Sequence, residues 1–175
     1  MSIDDQILAL VRSGSLVPLS PKHPSDSTVR PLLLRPSLFQ DIVRGPWDDE
    51  RERIRVSVVL RADMDEYVTG QPLLVTLNNR KDGKGFLKRL SDVDEIWTLR
   101  SKKKDGIRVF GRFARKDTFI ATHWEYRRFI KNRNDWAMEE ARCIDIWQNL
   151  FQGTYPHTGT KVSDYVSNAQ DTKYI

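Results

Sequence analysis

Cysteine, histidine and long apolar runs are scarce in this chain, and each scarcity excludes a class of protein. The single cysteine, Cys143, cannot form an internal disulfide or a cysteine-based zinc site. The three histidines, His23, His123 and His157, are too far apart in sequence to show a metal-ligand spacing. No apolar run approaches the roughly 20 residues that a membrane-spanning helix needs. We therefore expect a soluble, cytoplasmic protein with no targeting segment, no metal, no cofactor and no membrane partner.

Two common nucleotide-binding motifs are also missing. Neither the phosphate-loop pattern GxxxxGK[ST] nor the dinucleotide pattern GxGxxG occurs, and Gly83 and Gly85 fit neither of them. These absences argue against nucleotide hydrolysis and dinucleotide binding. The acidic pairs Asp4-Asp5 and Glu139-Glu140 fall on elements that look exposed, which gives little support to a metal-dependent nuclease.

Positive charge is abundant but unevenly distributed. Residues 80–133 contain 17 Lys and Arg against 7 Asp and Glu, whereas the rest of the chain contains 12 against 17. The net charge of +5 hides this polarity. A concentration of like charge weakens a compact domain through self-repulsion, and phosphate backbones are the polyanions that such a field most often meets. We therefore expect nucleic acid as the partner.

The pattern of elements divides the chain into three regions. Residues 1–50 are predicted to form an N-terminal helix and a proline-rich arm, residues 51–153 an α+β domain, and residues 154–175 a tail without strong periodicity. Residues 73–77 fit a strand and a buried helix equally well. The remaining predicted elements are a helix at 3–13, a first strand at 54–60, an antiparallel meander at 95–100, 107–113 and 118–123, and a last helix from 134 or 135 to 151.

The meander places cations on one face of the predicted sheet. Because strand side chains alternate, Arg108, Phe110 and Arg112 share a face of the middle strand. If Arg100 and Arg108 face the same way, they form a basic concavity together with the lysines of the following turn, Lys102, Lys103 and Lys104. The alternative is a solvated sheet edge, where Lys and Arg discourage pairing with another strand. We favour that alternative for each single cation, and nucleic-acid binding for the whole cluster.

A segment that interleaves aromatic and basic residues follows the third strand. His123 can transfer a proton near neutral pH, Tyr126 can stack on a base, and Arg127 or Arg128 can hold a phosphate. The alternative is a polar strand end at His123 beside a packed apolar set, Trp124, Phe129 and Ile130. Both interpretations stay open. On the last helix, Cys143 lies on the apolar stripe, which predicts a buried thiol rather than a nucleophile.

The run FLKRLSDVDEIWTLRSKKKDGIRVFGRFARKDTFIATHWEYRR carries a family resemblance. It resembles the RelE/HigB-like superfamily of bacterial type II toxins, including its phage-derived branch, over residues 54–151. The matching positions are Phe86 to Leu90, Ile96 to Arg100, Arg108 to Phe110, and Thr122-His123.

The resemblance implies a fold and an activity. The fold is a twisted antiparallel sheet packed with helices, and the activity is a metal-independent endoribonuclease that cuts messenger RNA, often in the ribosomal A site, and is silenced by an antitoxin. In such enzymes the 2′-hydroxyl attacks its own phosphate while cations stabilise the developing charge. The implied catalytic residues are Arg100 and Arg108 at the phosphate and His123 as general acid or base. The predicted RNA contacts are Lys88, Lys102, Lys103, Lys104, Arg112, Tyr126, Arg127 and Arg128.

Two other functions are compatible with the sequence. The first keeps the fold without the chemistry, in a protein that only binds nucleic acid or inhibits a protein target. The second is an interaction module whose basic face docks an acidic protein. RNA cleavage without divalent metal separates the enzyme from the first, and a steep loss of RNA affinity with salt separates it from the second. The N-terminal arm of about 50 residues also distinguishes this chain from compact toxins of about 90–120 residues.

Overall fold

The computed structural model describes residues 1–44, 51–77, 85–101 and 106–174. The α-helices in these ranges are α1 (Ile3–Arg12), α2 (Pro36–Phe39), α3 (Arg51–Val68), α4 (Arg133–Leu150) and α5 (Val162–Tyr165). The strands are β1 (Val17–Pro18), β2 (Leu32–Leu34), β3 (Leu73–Thr76), β4 (Leu87–Ser91), β5 (Ile96–Arg100), β6 (Ile107–Arg115), β7 (Thr118–Tyr126) and β8 (Ala169–Asp171). A π-helical turn at Gln40–Arg44 and two 3-10 turns at Arg127–Phe129 and Thr172–Tyr174 complete the set. The structure belongs to the α+β class that the sequence predicts.

One sheet joins these eight strands in the order β1-β2-β7-β6-β5-β4-β3-β8. Its centre, β4 to β7, is antiparallel and contains the predicted meander. Outside that centre, β2 runs parallel to β7, and β3 runs parallel to both β4 and β8. The expectation of an antiparallel sheet therefore holds for the centre and for the edge pair β1 and β2, and the whole sheet is mixed and curled. Parallel neighbours need long connections, which the local alternation of side chains does not reveal.

The first strand predicted at residues 54–60 is wrong, because this segment lies inside helix α3. Its β-branched residues favoured a strand when they were considered alone. The residues that follow show the helical period instead, since buried side chains recur about one turn apart. These side chains are Leu60, Met64, Tyr67 and Val68.

Apolar side chains cover both faces of the sheet. On one face, α3 packs against the centre of the sheet in a cluster that includes Met64, Tyr67, Trp97, Val109 and Phe113. On the other face, α4 places Cys143 against Ile96 and Phe110. Farther along α4, Trp147 packs with Leu33, Ile120 and the apolar side of α1. The sheet is thus the middle layer between α3 and the pair α1 and α4.

Arg30 connects the N-terminal segment to the C-terminal one. Its side chain is fully buried, and its guanidinium donates hydrogen bonds to carbonyl oxygens of Tyr67 (3.2 Å), Gln71 (2.9 Å) and Ser167 (2.7 Å). Asp117 lies 3.9 Å from its Nε atom. Because the Tyr67 carbonyl lies at the end of α3, the positive charge also faces the negative end of that helix dipole. The segments on either side of the predicted domain therefore contribute to the same sheet and to one buried polar network.

Helix α4 begins one or two residues before the predicted start. The side chain of Asn132 accepts hydrogen bonds from the backbone amides of Asn134 (2.8 Å) and Asp135 (3.1 Å), and the Asp135 carboxylate accepts one from the Asn132 backbone amide. This reciprocal cap fixes the start of the helix that covers the candidate site. Across the described ranges, every helix is too short or too polar to cross a bilayer.

Candidate nucleic-acid interface

The β5–β6 ladder brings Arg100 and Arg108 together. The two residues are direct partners in this ladder, so their side chains leave the same face of the sheet. Arg108 is buried, with 8 % of its surface exposed, and its Nη1 atom donates to the backbone carbonyl of Ile107 at 3.2 Å. Arg100 is half-buried. This register makes both arginines face the same way, which is what a basic concavity requires.

Lys88 and Arg127 join the two arginines. Lys88 on β4 pairs with Thr98 on β5, which places it on the same face as Arg100 and Arg108. Burial lowers the pKa of Lys88, and the positive charges of Arg100, Arg108 and Arg127 lower it further. Burial and the charge of Arg127 likewise lower the pKa of Arg100. These four residues therefore form one group of mutually interacting cations, which we call the cation cluster.

The 3-10 turn after β7 positions Arg127 at the cluster. The Arg127 backbone amide donates to the carbonyl of Gly106 at 3.0 Å, which ties the turn to the start of β6. The Arg127 guanidinium lies 5.6 Å from the ring centroid of Trp136 and also donates to the Ile130 carbonyl. A guanidinium held over an aromatic ring loses less freedom when it then binds a planar anion.

A buried hydroxyl lies next to the cluster. The Oγ1 atom of Thr98 has no hydrogen-bond partner among the residues that the structure describes, although Thr98 is 1 % exposed. Its cross-strand neighbours are Lys88 and Phe110. Buried polar atoms in native proteins are nearly always satisfied, so an unpaired hydroxyl across from Lys88 fits a place where a ligand completes the bonding.

Glu125 is the acidic residue paired with Arg108 on this face. It is the cross-strand partner of Arg108 on β7, and its Oε1 atom accepts a hydrogen bond from the Tyr126 backbone amide at 2.7 Å. One half-buried carboxylate thus accompanies the cations Lys88, Arg100 and Arg108 on the same face. The local charge remains positive, which suits an anionic ligand.

Arg112 lies apart from the cluster, although it occupies the same strand face. It donates to the backbone carbonyl of Asp94, and its guanidinium lies 5.7 Å from the ring centroid of Trp147. Burial lowers the pKa of Arg112. A 5 % exposed guanidinium beneath α4 has little surface to offer RNA. Its contacts with Asp94 and Trp147 give it a structural place in the fold.

His123 lies under helix α4 with both ring nitrogens occupied. The Nδ1 atom is 3.0 Å from the Thr122 hydroxyl, and the Nε2 atom is 2.9 Å from a carboxylate oxygen of Glu139. The ring stacks on Phe110 with 4.7 Å between centroids, and only 4 % of the residue is exposed. The structure therefore does not present His123 at the surface where the cations meet.

The pKa of His123 also differs from that of an ordinary histidine general base. Burial lowers its pKa to about 3, and the nearby charges of Arg142 and Arg35 act in the same direction. Burial raises the pKa of Glu139. At neutral pH the histidine is thus neutral. Its Nε2–H donates to Glu139, and its Nδ1 atom lies beside the Thr122 hydroxyl, which donates to the Phe110 carbonyl at 3.0 Å.

Sequence reasoning missed the Glu139 contact. The pair Glu139-Glu140 was predicted to be exposed, but both residues are half-buried where α4 meets the sheet. One signal was present, because Glu139 is one turn before Cys143 on the side of α4 that faces the sheet. Cys143 itself is buried as predicted, and burial raises its pKa to about 11.

Tyr126 and Arg128 face away from the cation cluster. Tyr126 belongs to the core on the α3 side of the sheet and is 9 % exposed, so its ring has little free surface for a base. The exposed Arg128 lies over the Tyr126 ring, 4.9 Å from its centroid. The predicted contacts Lys102, Lys103 and Lys104 lie outside the described residues.

Comparison with protein-family models, with curated proteins and with solved structures gave no match. In the described part of the chain, no three His, Cys, Asp or Glu side chains come together as metal ligands. We therefore infer the function from the cation cluster and from the family resemblance of the run Phe86 to Arg128.

Proposed function

We propose that this chain binds RNA at the cation cluster and cleaves it in the manner of RelE/HigB-like toxins, under the control of an antitoxin. The observation that carries the proposal is the convergence of Lys88, Arg100, Arg108 and Arg127 at one end of the sheet. Beyond the effect of burial, the charges of the three arginines lower the pKa of Lys88, and the charge of Arg127 lowers the pKa of Arg100. A RelE-like fold is part of the proposal. Its support is the antiparallel centre of the sheet and the run of residues from Phe86 to Arg128.

The charge of the cluster favours a phosphodiester as the ligand. Placing like charges together costs free energy, and a bound anion relieves that cost. Arginine presents a planar fork that matches two phosphate oxygens, and lysine supplies a compact charge. Arg100 and Arg108, side by side on adjacent strands, are the two arginines that bind one phosphate in this proposal.

Lys88 is the proposed proton-transfer group. A lowered pKa increases the fraction of neutral amine near physiological pH, and a neutral amine can accept the proton of the 2′-hydroxyl as it attacks the adjacent phosphate. Arg100 and Arg108 then stabilise the charge that develops on the phosphate oxygens. The bond from phosphorus to the 5′-oxygen breaks, that oxygen takes a proton from the Lys88 ammonium or from water, and a 2′,3′-cyclic phosphate remains. His123 holds β7 against α4 through Glu139, and so supports the geometry without touching the substrate.

A second candidate function is RNA binding without cleavage. The specific observation in its favour is that both ring nitrogens of His123 are engaged under α4, so the implied histidine catalyst does not reach the cluster. In this case the same cations hold RNA and no backbone bond is broken. The two candidates share a binding surface and differ only in chemistry.

Induced expression in bacteria tests the proposal. Wild type is compared with Lys88→Ala, Arg108→Ala and His123→Ala, with the exposed His23→Ala as a matched control, at equal soluble levels. Growth and the 5′ ends of cellular messages are followed over a short time course. The purified proteins are assayed on RNA with and without a chelator of divalent metal.

The ribonuclease proposal expects growth arrest and new message ends with wild type and His23→Ala, and chelator-resistant cleavage. Lys88→Ala and Arg108→Ala should abolish the growth arrest, the new message ends and the cleavage. Salt-sensitive RNA binding without new ends would favour the second candidate. No salt-sensitive binding at all would contradict both and leave an interaction module.

A further inference from the structure

An aromatic ladder follows β7 on the face opposite the cation cluster. Trp124 and Tyr126 make an edge-to-face contact with 5.1 Å between centroids, and Tyr126 makes another with Phe129 at 5.8 Å. The Arg128 guanidinium lies over both of the last two rings, at 4.9 Å from the centroid of Tyr126 and 5.1 Å from that of Phe129. The Trp124 indole nitrogen donates to Asp41 at 3.0 Å. The ladder is therefore held in place by contacts along its length.

Phe129 is the exposed end of this ladder. The residue is 55 % exposed, whereas Tyr126 behind it is 9 % exposed. Burial of a large aromatic ring is favourable, and an exposed ring does not contribute this stabilisation to the fold. A fixed exposed ring therefore commonly marks a contact surface. Its contacts with Tyr126 and Arg128 restrict the ring before any partner binds, which reduces the entropy lost on binding.

Phe129 is also continuous with the cation cluster. Arg127 and Phe129 lie in the same three-residue 3-10 turn, with Arg127 directed over Trp136 and Phe129 over the opposite face. The turn therefore presents a cation of the cluster on one side and an exposed ring on the other, at the same end of the sheet.

We propose that Phe129 is a stacking platform for an unpaired base, so that the substrate of this surface is single-stranded RNA. The inference rests on the proposed RNA binding at the cation cluster and adds the strandedness of the ligand. Bases within a duplex stack on one another and do not offer a face to a protein side chain, whereas unpaired bases do. Arg127 and Arg128, on either side of the turn, supply the charge that follows the backbone past the ring.

The test uses the purified full chain and RNA of about 12 nucleotides in which every 2′-hydroxyl is methylated, so that binding is measured without cleavage. Fluorescence anisotropy gives the affinity for the single strand and for its duplex across a salt series. A fluorescent purine analogue in the strand reports stacking through quenching. The variants are Phe129→Ala, Phe129→Trp and Tyr155→Ala.

Tyr155 is the matched control because it is an exposed aromatic at 89 % and lies near the far end of β6, where the following His157 amide bonds to the Phe113 carbonyl. We expect Phe129→Ala to weaken single-strand binding by about 5- to 150-fold and to remove the quenching. Phe129→Trp should retain both, and Tyr155→Ala should change neither. The salt slope should stay the same, because the phosphate contacts are retained.

If Phe129→Ala binds the single strand as tightly as wild type does, the stacking role is overturned and RNA binding itself is not. Equal affinity of wild type for duplex and single strand would overturn the strandedness. If wild type binds no RNA, both this inference and the proposed function fail. Retained RNA binding by Phe129→Ala together with lost binding of an antitoxin would assign the ring to a protein partner instead.

Discussion

Arg100 and Arg108 lie directly opposite each other across the β5–β6 ladder, on the same sheet face as Lys88. Like charges at paired positions destabilise a sheet. Burial and neighbouring cations also lower the pKa of Lys88 and of Arg100. An anion bound at this place relieves the repulsion among the cations, and that relief contributes to the affinity for the anion.

The salt dependence of RNA binding should report Arg100 directly. Each phosphate contact on a single strand contributes about 0.7 to the slope of log affinity against log salt. We therefore expect Arg100→Gln to reduce the magnitude of that slope by about 0.7. Titrations at several salt concentrations measure it, with the exposed Arg12→Gln on α1 as the control. An unchanged slope for Arg100→Gln would place the phosphate elsewhere.

Lys88→Arg should separate binding from cleavage. Arginine keeps the positive charge but cannot donate or accept a proton near neutral pH, so RNA affinity should remain within a few-fold while the cleavage rate falls by about 100- to 10,000-fold. In wild type, the rate should rise with pH and level off below the pKa of an ordinary lysine, because the pKa of Lys88 is lowered. Single-turnover rates across pH check both statements. Full activity of Lys88→Arg would remove this residue from proton transfer.

His123 should make the protein less stable in acid. Its pKa is lowered to about 3 in the folded state, against about 6.5 when unfolded. Above pH 6.5 both states are neutral, and below it the unfolded state takes up a proton that the folded state does not. The free energy of unfolding should therefore fall as pH drops towards 3, by up to about 1.4 kcal/mol per pH unit.

Denaturant titrations of wild type and His123→Gln between neutral pH and pH 4 isolate this contribution. Burial raises the pKa of Glu139, which favours the folded state in acid and opposes the histidine effect. Because glutamine does not titrate, the difference between the two proteins should shrink as pH falls. A constant difference would mean that His123 takes up its proton equally well in both states.

Local patterns were enough for three central strands, and pairing between distant segments was not predictable from them. Alternating side chains at 95–100, 107–113 and 118–123 predicted β5, β6 and most of β7. The common face of Arg100 and Arg108 depended on the β5–β6 register, which the sequence left open. The β-branched residues before Leu60 misled, because the helical stripe of α3 becomes visible only beyond them. Strands β1, β2, β4 and β8 were not predicted. Strands β1, β2 and β8 have only two or three residues each, and β2 and β8 are held by parallel neighbours far away in sequence.

The same limit applies to the site. Sequence alternation placed Arg108 and Arg112 on one face of a strand, but it did not show that Glu139 bonds to His123 across the helix–sheet interface. Nor could it divide Arg127 and Arg128 between the two faces, because a 3-10 turn rotates successive side chains by about a third of a turn. Tertiary packing decided both.

Arg30 should be one of the most sensitive positions for stability. Replacement by methionine keeps an apolar stem but leaves the buried carbonyls of Tyr67, Gln71 and Ser167 without their donor. We expect a loss of about 3–5 kcal/mol in the free energy of unfolding, measured in urea. Arg61→Met is the control, because Arg61 forms a partly exposed pair with Asp65 and should cost under about 1 kcal/mol. Similar losses for both would show that the buried bonds contribute little.

Gly111 should be intolerant of any side chain. A Cβ atom there would lie 2.2 Å from the Ile120 carbonyl oxygen and 2.6 Å from the Phe119 ring, at the point where the β6–β7 register shifts. Neither neighbour can move freely, because one is strand backbone and the other is fully buried. We therefore expect Gly111→Ala to cost about 3 kcal/mol or more.

Gly153→Ala is the matched control for that steric argument. Gly153 has a φ of +72°, and a Cβ atom there would meet nothing within 4 Å. Alanine at that position should cost only the backbone strain, about 1–2 kcal/mol. Thermal and urea unfolding of the two variants compare a clash with a dihedral penalty. If Gly111→Ala unfolds no more easily than Gly153→Ala, β6 and β7 are able to separate locally, and the close strand contact beside His123 is not required for the fold.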